Sequence, residues 1–226
     1  MRPIERGSSP IQGDFNKYQD ARTPLVDKIG KYCSYCERII KPIQEVEHIQ
    51  PKSIYPHLKN QWENFLLACS NCNATKGAKN FPLDTYYLPD RDNTFFPFDY
   101  LQDGSIVIRT SLNITQQQMA HTTLELTGLD KTNCVKDRIE VWITAQECLS
   151  GLQQQPQNEQ LKNQIIRNAL SEGSFSIWMA VFENDIEMRR RFIEAFPGTA
   201  QDCFDLETQP VSPRPANATL LHSGKI

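Results

Sequence analysis

Two Cys-x-x-Cys pairs, Cys33/Cys36 and Cys69/Cys72, bracket the dipeptide Glu47-His48, and Asn73 follows the second pair directly. A turn of this kind aims two thiolates at one point, and two of them complete the four-sulfur tetrahedral shell that Zn2+ takes in closed structural sites. The zinc is then scaffold, and the reactive groups lie between and just after the pairs. Hydrolysing a phosphodiester requires a base for the attacking water and a cation for the phosphate and the departing oxygen. His48 titrates in the right range to be that base. Glu47 and Asn73 offer hard oxygen donors, which suit Mg2+ or Mn2+ better than a second zinc. Asn64 is expected to orient the His48 ring through a hydrogen bond, and Lys52 and Lys76 to contact phosphates as point charges.

Blander readings apply to the other reactive side chains. One Cys-x-x-Cys alone could be a redox pair; two, separated by 32 residues with a carboxylate, a histidine and two asparagines around them, point to metal. Cys134, Cys148 and Cys203 show no comparable spacing and read as ordinary reduced cysteines, and an odd total of seven fits a reducing cytosol. His57 reads as a solvated loop residue, and His121 and His222 have no companions. The run Arg189-Arg190-Arg191 is expected to be a solvated face or a partner contact. Asn113-Ile114-Thr115 and Asn217-Ala218-Thr219 match a glycosylation sequon, which carries no meaning in a cytosolic protein.

Charge is unevenly shared. The chain has 226 residues and a net charge of −3, yet residues 1–80 hold 12 Lys/Arg against 8 Asp/Glu, while residues 81–226 hold 12 against 19. The basic part is the part that carries the motif. The first 30 residues contain no long apolar run, so neither a signal peptide nor a membrane span is expected, and the expected location is cytoplasmic.

The elements that must position these residues follow from pattern and punctuation. Thr23-Pro24 reads as the cap and first position of a short helix that stops at Gly30. Ile43, Val46 and Ile49 lie among polar residues in a stretch ending at Pro51, which suits a short strand carrying Glu47 and His48 near its end. Residues 51–61 sustain no apolar period and read as a loop, and Phe65-Leu66-Leu67-Ala68 returns as a second strand or a short helical turn. A helix is expected to open at Asn73-Ala74-Thr75-Lys76. Asp103-Gly104 predicts a hairpin into Ser105-Ile106-Val107-Ile108. Helices are expected from Thr115 to near Gly128, along the Val135/Ile139/Trp142/Leu149 face, along Leu161/Ile165/Ala169, and over 175–184 and 185–196. From Glu207 onward, proline and low apolar content predict a frayed tail. The fold class is α+β. Residues 1–110 read as a small zinc-stapled module with a flanking loop, and residues 111–226 as a mostly helical region.

At these residues the chain resembles the HNH, or ββα-metal, endonucleases. The matching pieces are Val46-Glu47-His48-Ile49-Gln50-Pro51-Lys52, Trp62 to Cys69, and Cys72-Asn73-Ala74-Thr75-Lys76-Gly77. The resemblance implies His48 as general base, Glu47 and Asn73 as metal ligands and Asn64 as the histidine-orienting residue. The first ligand departs from the pattern, being Glu where many members have Asp or His. Met1 to Ile4, Tyr87 to Thr94, Trp178 to Phe182 and Ile193 to Ala200 also resemble the nuclease subunits (PtuB) of Septu-type anti-phage systems, some of which accompany retrons. That likeness implies an ATPase partner of the PtuA type and nucleic-acid cleavage triggered by infection. The contact with the ATPase is expected beyond about Thr110, the last two helices included. Two rivals stand beside this reading: a stand-alone restriction or homing-type nuclease, against which the acidic helical half argues, and a zinc-ribbon module that binds without cutting. The second has no reason to keep Glu47, His48, Asn64 and Asn73 together.

Overall fold

The structure is a computed structural model and describes residues 1–214 and 220–226; the sequon at Asn217 lies outside the described residues. Helix α1 (Arg22–Ile29) continues a 3-10 turn at Tyr18–Ala21, so Thr23 sits inside the helix rather than capping it. Pro24 is tolerated there because first-turn N–H groups have no intrahelical partner. Gly30 ends the helix with φ 76°, a conformation glycine adopts at no steric cost.

Strands β1 (Glu45–His48) and β2 (Phe65–Ala68) pair antiparallel, with Glu45 opposite Ala68 and His48 opposite Phe65. All four β2 residues are buried, and the strand touches both α1 and α2, which explains an apolar run without alternation. Helix α2 spans Ser70–Lys76. It therefore starts three residues before the expected Asn73, with Cys69 as its extended N-cap, so the second Cys-x-x-Cys is itself the first helical turn. The result is a strand, loop, strand, helix unit.

Beyond it, β3 (Phe98–Tyr100) and β4 (Ile106–Ile108) form the expected hairpin. Helices α3 (Ile114–Thr127), α4 (Thr132–Gln154), α5 (Glu159–Glu172), α6 (Phe175–Val181) and α7 (Ile186–Ala195) follow. Asn113, not Thr115, caps α3, because its carboxamide and that of Gln116 satisfy each other's backbone N–H in a capping box. Asn158 and Asp185 cap α5 and α7.

Helix α6 is buried at six of its seven positions, and Phe175 meets Phe196 at 5.3 Å and Phe182 meets Phe192 at 5.2 Å, both edge-to-face. The helical region also holds the first cysteine turn in place. Ser176 donates through its N–H and hydroxyl to the Glu37 carboxylate, and Ser174 N–H donates to the Glu37 carbonyl. Gly173 is required at that contact, since a Cβ there would lie 2.6 Å from the Glu37 carbonyl oxygen. Removing α6 would therefore disturb the thiolate cluster, which rules out a clean deletion of the last two helices.

Residues 88–94 form a buried polar knot. Asp90 pairs with Arg6 at 3.0 Å, and Arg91 donates to the Glu63 and Leu221 carbonyls. Asp92 holds Lys225, and the Asn93 side chain donates to the Cys203 and Val211 carbonyls. Arg6 also donates to the Phe65 carbonyl at the start of β2. This knot explains the Leu88-Pro89-Asp90-Arg91-Asp92-Asn93-Thr94 stretch as structure rather than chemistry. Part of the tail expected to fray after Glu207 is tied down among the described residues: Arg214 pairs with Glu5, Ile226 is fully buried, and its carbonyl accepts from the Asn93 and Arg214 backbone, while residues 215–219 lie outside the described residues. Of the arginine run only Arg189 turns inward, to the Thr208 carbonyl; Arg190 and Arg191 stay at the surface, bonded to the Leu206 carbonyl and to Glu159 and Glu187, as a solvated face would be.

Candidate active site

The four expected cysteines converge. The Sγ atoms of Cys33, Cys36, Cys69 and Cys72 all lie within 4.8 Å of one another, and Cys36 and Cys69 are 3.7 Å apart. Metal–sulfur bonds of about 2.3 Å give a tetrahedral edge of about 3.8 Å, so the cluster fits a metal ion in a four-thiolate shell. The first pair is shaped by Glu37 at φ 64° and by Cys33 N–H donating to the Arg38 carbonyl; the second is the N-terminal turn of α2. Cys134, with no motif of its own, sits beside this cluster on the first turn of α4. Arg38 bridges them, donating to Cys36 Sγ at 3.3 Å and Cys134 Sγ at 3.5 Å while pairing with Asp137.

A second site opens at the other end of α2. A cleft of about 520 Å3 is lined by Tyr18, Arg22, Glu45, Glu47, His48, Lys52 and Asn73, among others. Residues from both faces of β1 line it, so it follows the strand edge that β2 leaves free. His48 is wedged edge-on between Tyr18 (4.8 Å) and Phe65 (5.3 Å). Its Nε2 lies 2.9 Å from the Lys59 carbonyl. A carbonyl only accepts, so in the neutral ring Nε2 carries the proton and Nδ1 carries the lone pair. Burial pushes the imidazole pKa below its ordinary value, and the charges of Lys52, Lys76 and Lys59 push the same way against the Lys59 carbonyl bond. The neutral, proton-accepting ring is thus the form held at pH 7.

The other expected residues are rearranged relative to expectation. Asn64 does not bond to His48. Its side chain accepts from Gln50 N–H at 2.7 Å and donates to the Gln50 and Leu58 carbonyls at 3.0 and 3.2 Å, clamping the loop whose next residue, Lys59, holds the ring. Lys76 is 1% exposed and cannot reach a phosphate. Its ammonium lies 2.7 Å from Glu47 Oε1 and 2.7 Å from the His48 carbonyl oxygen. Burial raises the Glu47 carboxyl pKa, partly offset by Lys76. Asn73 pairs with Glu45, not Glu47: its Nδ2 donates to Glu45 Oε2, and its amide oxygen makes no hydrogen bond among the described residues. Lys52 donates to the Tyr18 hydroxyl at 2.9 Å and lies 4.0 Å from that ring's centre. His57 is exposed, as expected, and does not line the cleft.

Sequence reasoning missed Glu45, Tyr18, Arg22 and the Lys59 carbonyl. Glu45 had a signal: it stands two residues before Glu47 on a strand, where side chains of i and i+2 share a face. Tyr18 and Arg22 had none, because the fold alone brings the α1 start to β1.

Two comparisons bear on this geometry. Residues 33–79 match the HNH endonuclease family. The HNH segment runs from the first cluster cysteine to just past α2, so it contains both the thiolates and most of the cleft. The chain is also 33% identical over 86 residues to the Septu protein PtuB of Bacillus thuringiensis, a match covering 35% of this chain and 34% of that protein. The matched region therefore spans about a third of the length of that curated relative. Among the described residues, no helix is long and apolar enough to cross a membrane.

Proposed function

We propose that this chain is a metal-dependent endonuclease that hydrolyses phosphodiester bonds in nucleic acid, and that it serves as the nuclease subunit of a Septu-type anti-phage complex with a PtuA-type ATPase. The observation that carries the first part is the His48 ring, held by the Lys59 carbonyl with its basic nitrogen uncommitted, beside carboxylates and an amide in an HNH segment. In this reading His48 Nδ1 takes the proton from the attacking water. Glu45, Glu47 and Asn73 hold Mg2+ or Mn2+, which when bound supplies charge for the phosphate and the leaving oxygen. Lys76 partly offsets the burial that raises the Glu47 pKa, and Asn64 secures the loop that orients His48. The four cysteines hold Zn2+ and fix the start of α2. Nicking of plasmid DNA and structured RNA by the purified protein, with and without divalent cation, tests the reaction.

The likeness to PtuB and the acidic excess after residue 80 support the second part. Phosphate contacts need cations, and a net-negative chain binds nucleic acid weakly by itself. A partner then supplies recruitment and control, through residues beyond about Thr110. Cross-linking of the co-expressed complex tests this: links to the ATPase are expected from Lys136 on α4 rather than from Lys52 at the cleft.

A further inference from the structure

We propose that Arg22 grips the phosphodiester in the cleft, donating its guanidinium fork to the non-bridging oxygens of the nucleic-acid backbone. This deepens the nuclease reading and rests on it for the identity of the ligand. Three observations carry it. Arg22 lines the same cleft as His48, Glu45, Glu47 and Asn73. Its Nε is buried and has no hydrogen-bond partner. Among the described residues it is the one partly buried arginine that makes neither a hydrogen bond nor an ion pair; Arg2, Arg6, Arg38, Arg91, Arg138, Arg189 and Arg214 are all engaged.

A buried donor without a partner is costly; Arg6, Arg91 and Arg189 also leave Nε without a hydrogen bond, but their terminal nitrogens are bonded, whereas the whole Arg22 fork is unbonded among the described residues. An unbonded, always-charged planar fork is best matched by an anion with two oxygens. Neither cleft carboxylate supplies it: Glu45 is bonded to Asn73 and Glu47 to Lys76, and among the described residues neither forms an ion pair with Arg22. A phosphodiester meets the requirement: two oxygens for the fork, within a cleft whose carboxylates and amide suit a divalent cation. With Lys76 buried behind β1, Arg22 takes the role expected of that lysine.

The test uses the full chain carrying His48→Ala, so that labelled duplex DNA and single-stranded RNA stay intact during binding. Arg22→Ala should weaken binding about tenfold at low salt. It should also reduce the slope of log affinity against log salt by about 0.9 on duplex or about 0.7 on single strands, the value of one phosphate contact. Arg22→Lys should restore the slope. With His48 present, Arg22→Ala should cut about 10²-fold more slowly, and free guanidinium should recover part of the rate. Because the side chain makes no internal bond, melting temperature and thiolate-bound metal should not change. Unchanged affinity and slope in Arg22→Ala, or no binding by the His48→Ala parent, overturns the proposal. Failure of the nuclease reading looks different: no cleavage by the native chain with any divalent cation, while the Arg22 effect on binding persists.

Discussion

Helix α2 separates two sites built from opposite chemistry. At its N-terminal end, four sulfurs close on one point and the protein supplies the whole shell; along its length, Asn73 joins Glu45, Glu47 and His48 around an open cleft. A shell completed by the protein leaves no position for substrate, so a metal held there would contribute folding energy rather than chemistry. An incomplete set of hard donors beside an uncommitted base leaves room for water and phosphate. One short helix thus ties stability to chemistry, and each site should respond to mutation in its own way.

The sharpest contrast comes from Cys69→Ser. A four-thiolate zinc site contributes on the order of 10 kcal/mol to the fold that forms it. The variant should lose metal and solubility together, read by elemental analysis and circular dichroism. Well-folded protein without zinc would erase the distinction between the sites.

Lys76→Met comes next. The buried pair with Glu47 is broken from one side, which leaves a carboxylate stranded and should cost about 3–5 kcal/mol in urea unfolding. A stable variant with weaker nucleic-acid binding would return Lys76 to the phosphate role.

Asn64→Ala removes three buried hydrogen bonds to Gln50 and Leu58 and should cost about 1–3 kcal/mol. Because the clamp acts through the loop, the His48 ring should also lose its fixed tautomer, visible in imidazole nitrogen NMR shifts. An unchanged ring signal would separate Asn64 from the base altogether.

Smallest is Lys52→Ala. Its ammonium is exposed and spends its contacts on Tyr18, so affinity for nucleic acid should fall less than in Arg22→Ala. A larger loss than for Arg22→Ala would reverse the ranking of the two cations.

The same contrast explains what could be read from sequence. Cysteine spacing is a local code, so the thiolate cluster was legible, as were β1 and the hairpin at Asp103-Gly104, while Phe65–Ala68 stayed open between strand and helical turn because so short an apolar run carries no period. The cleft was legible in its members but not in its pairings. Which carboxylate Asn73 meets depends on how α2 packs against β1, a long-range contact with no local signature. Asn64 looked like a partner for His48 because both stand near one motif; the loop carbonyls that it actually holds have no sequence signature. Residues 207–214 and 220–226 looked loose by composition, yet buried polar contacts to residues 90–93 fix them, and such long-range pairing is invisible to local pattern.

The central claim is that His48 is the base and the cysteines are scaffold. The direct measurement is divalent-dependent cleavage by the native chain and by His48→Ala, with zinc content and melting temperature determined on the same samples. The account predicts full zinc, an unchanged melting profile and at least about 10²-fold slower cleavage for His48→Ala. Cleavage at the native rate by a zinc-loaded, folded His48→Ala protein would contradict it.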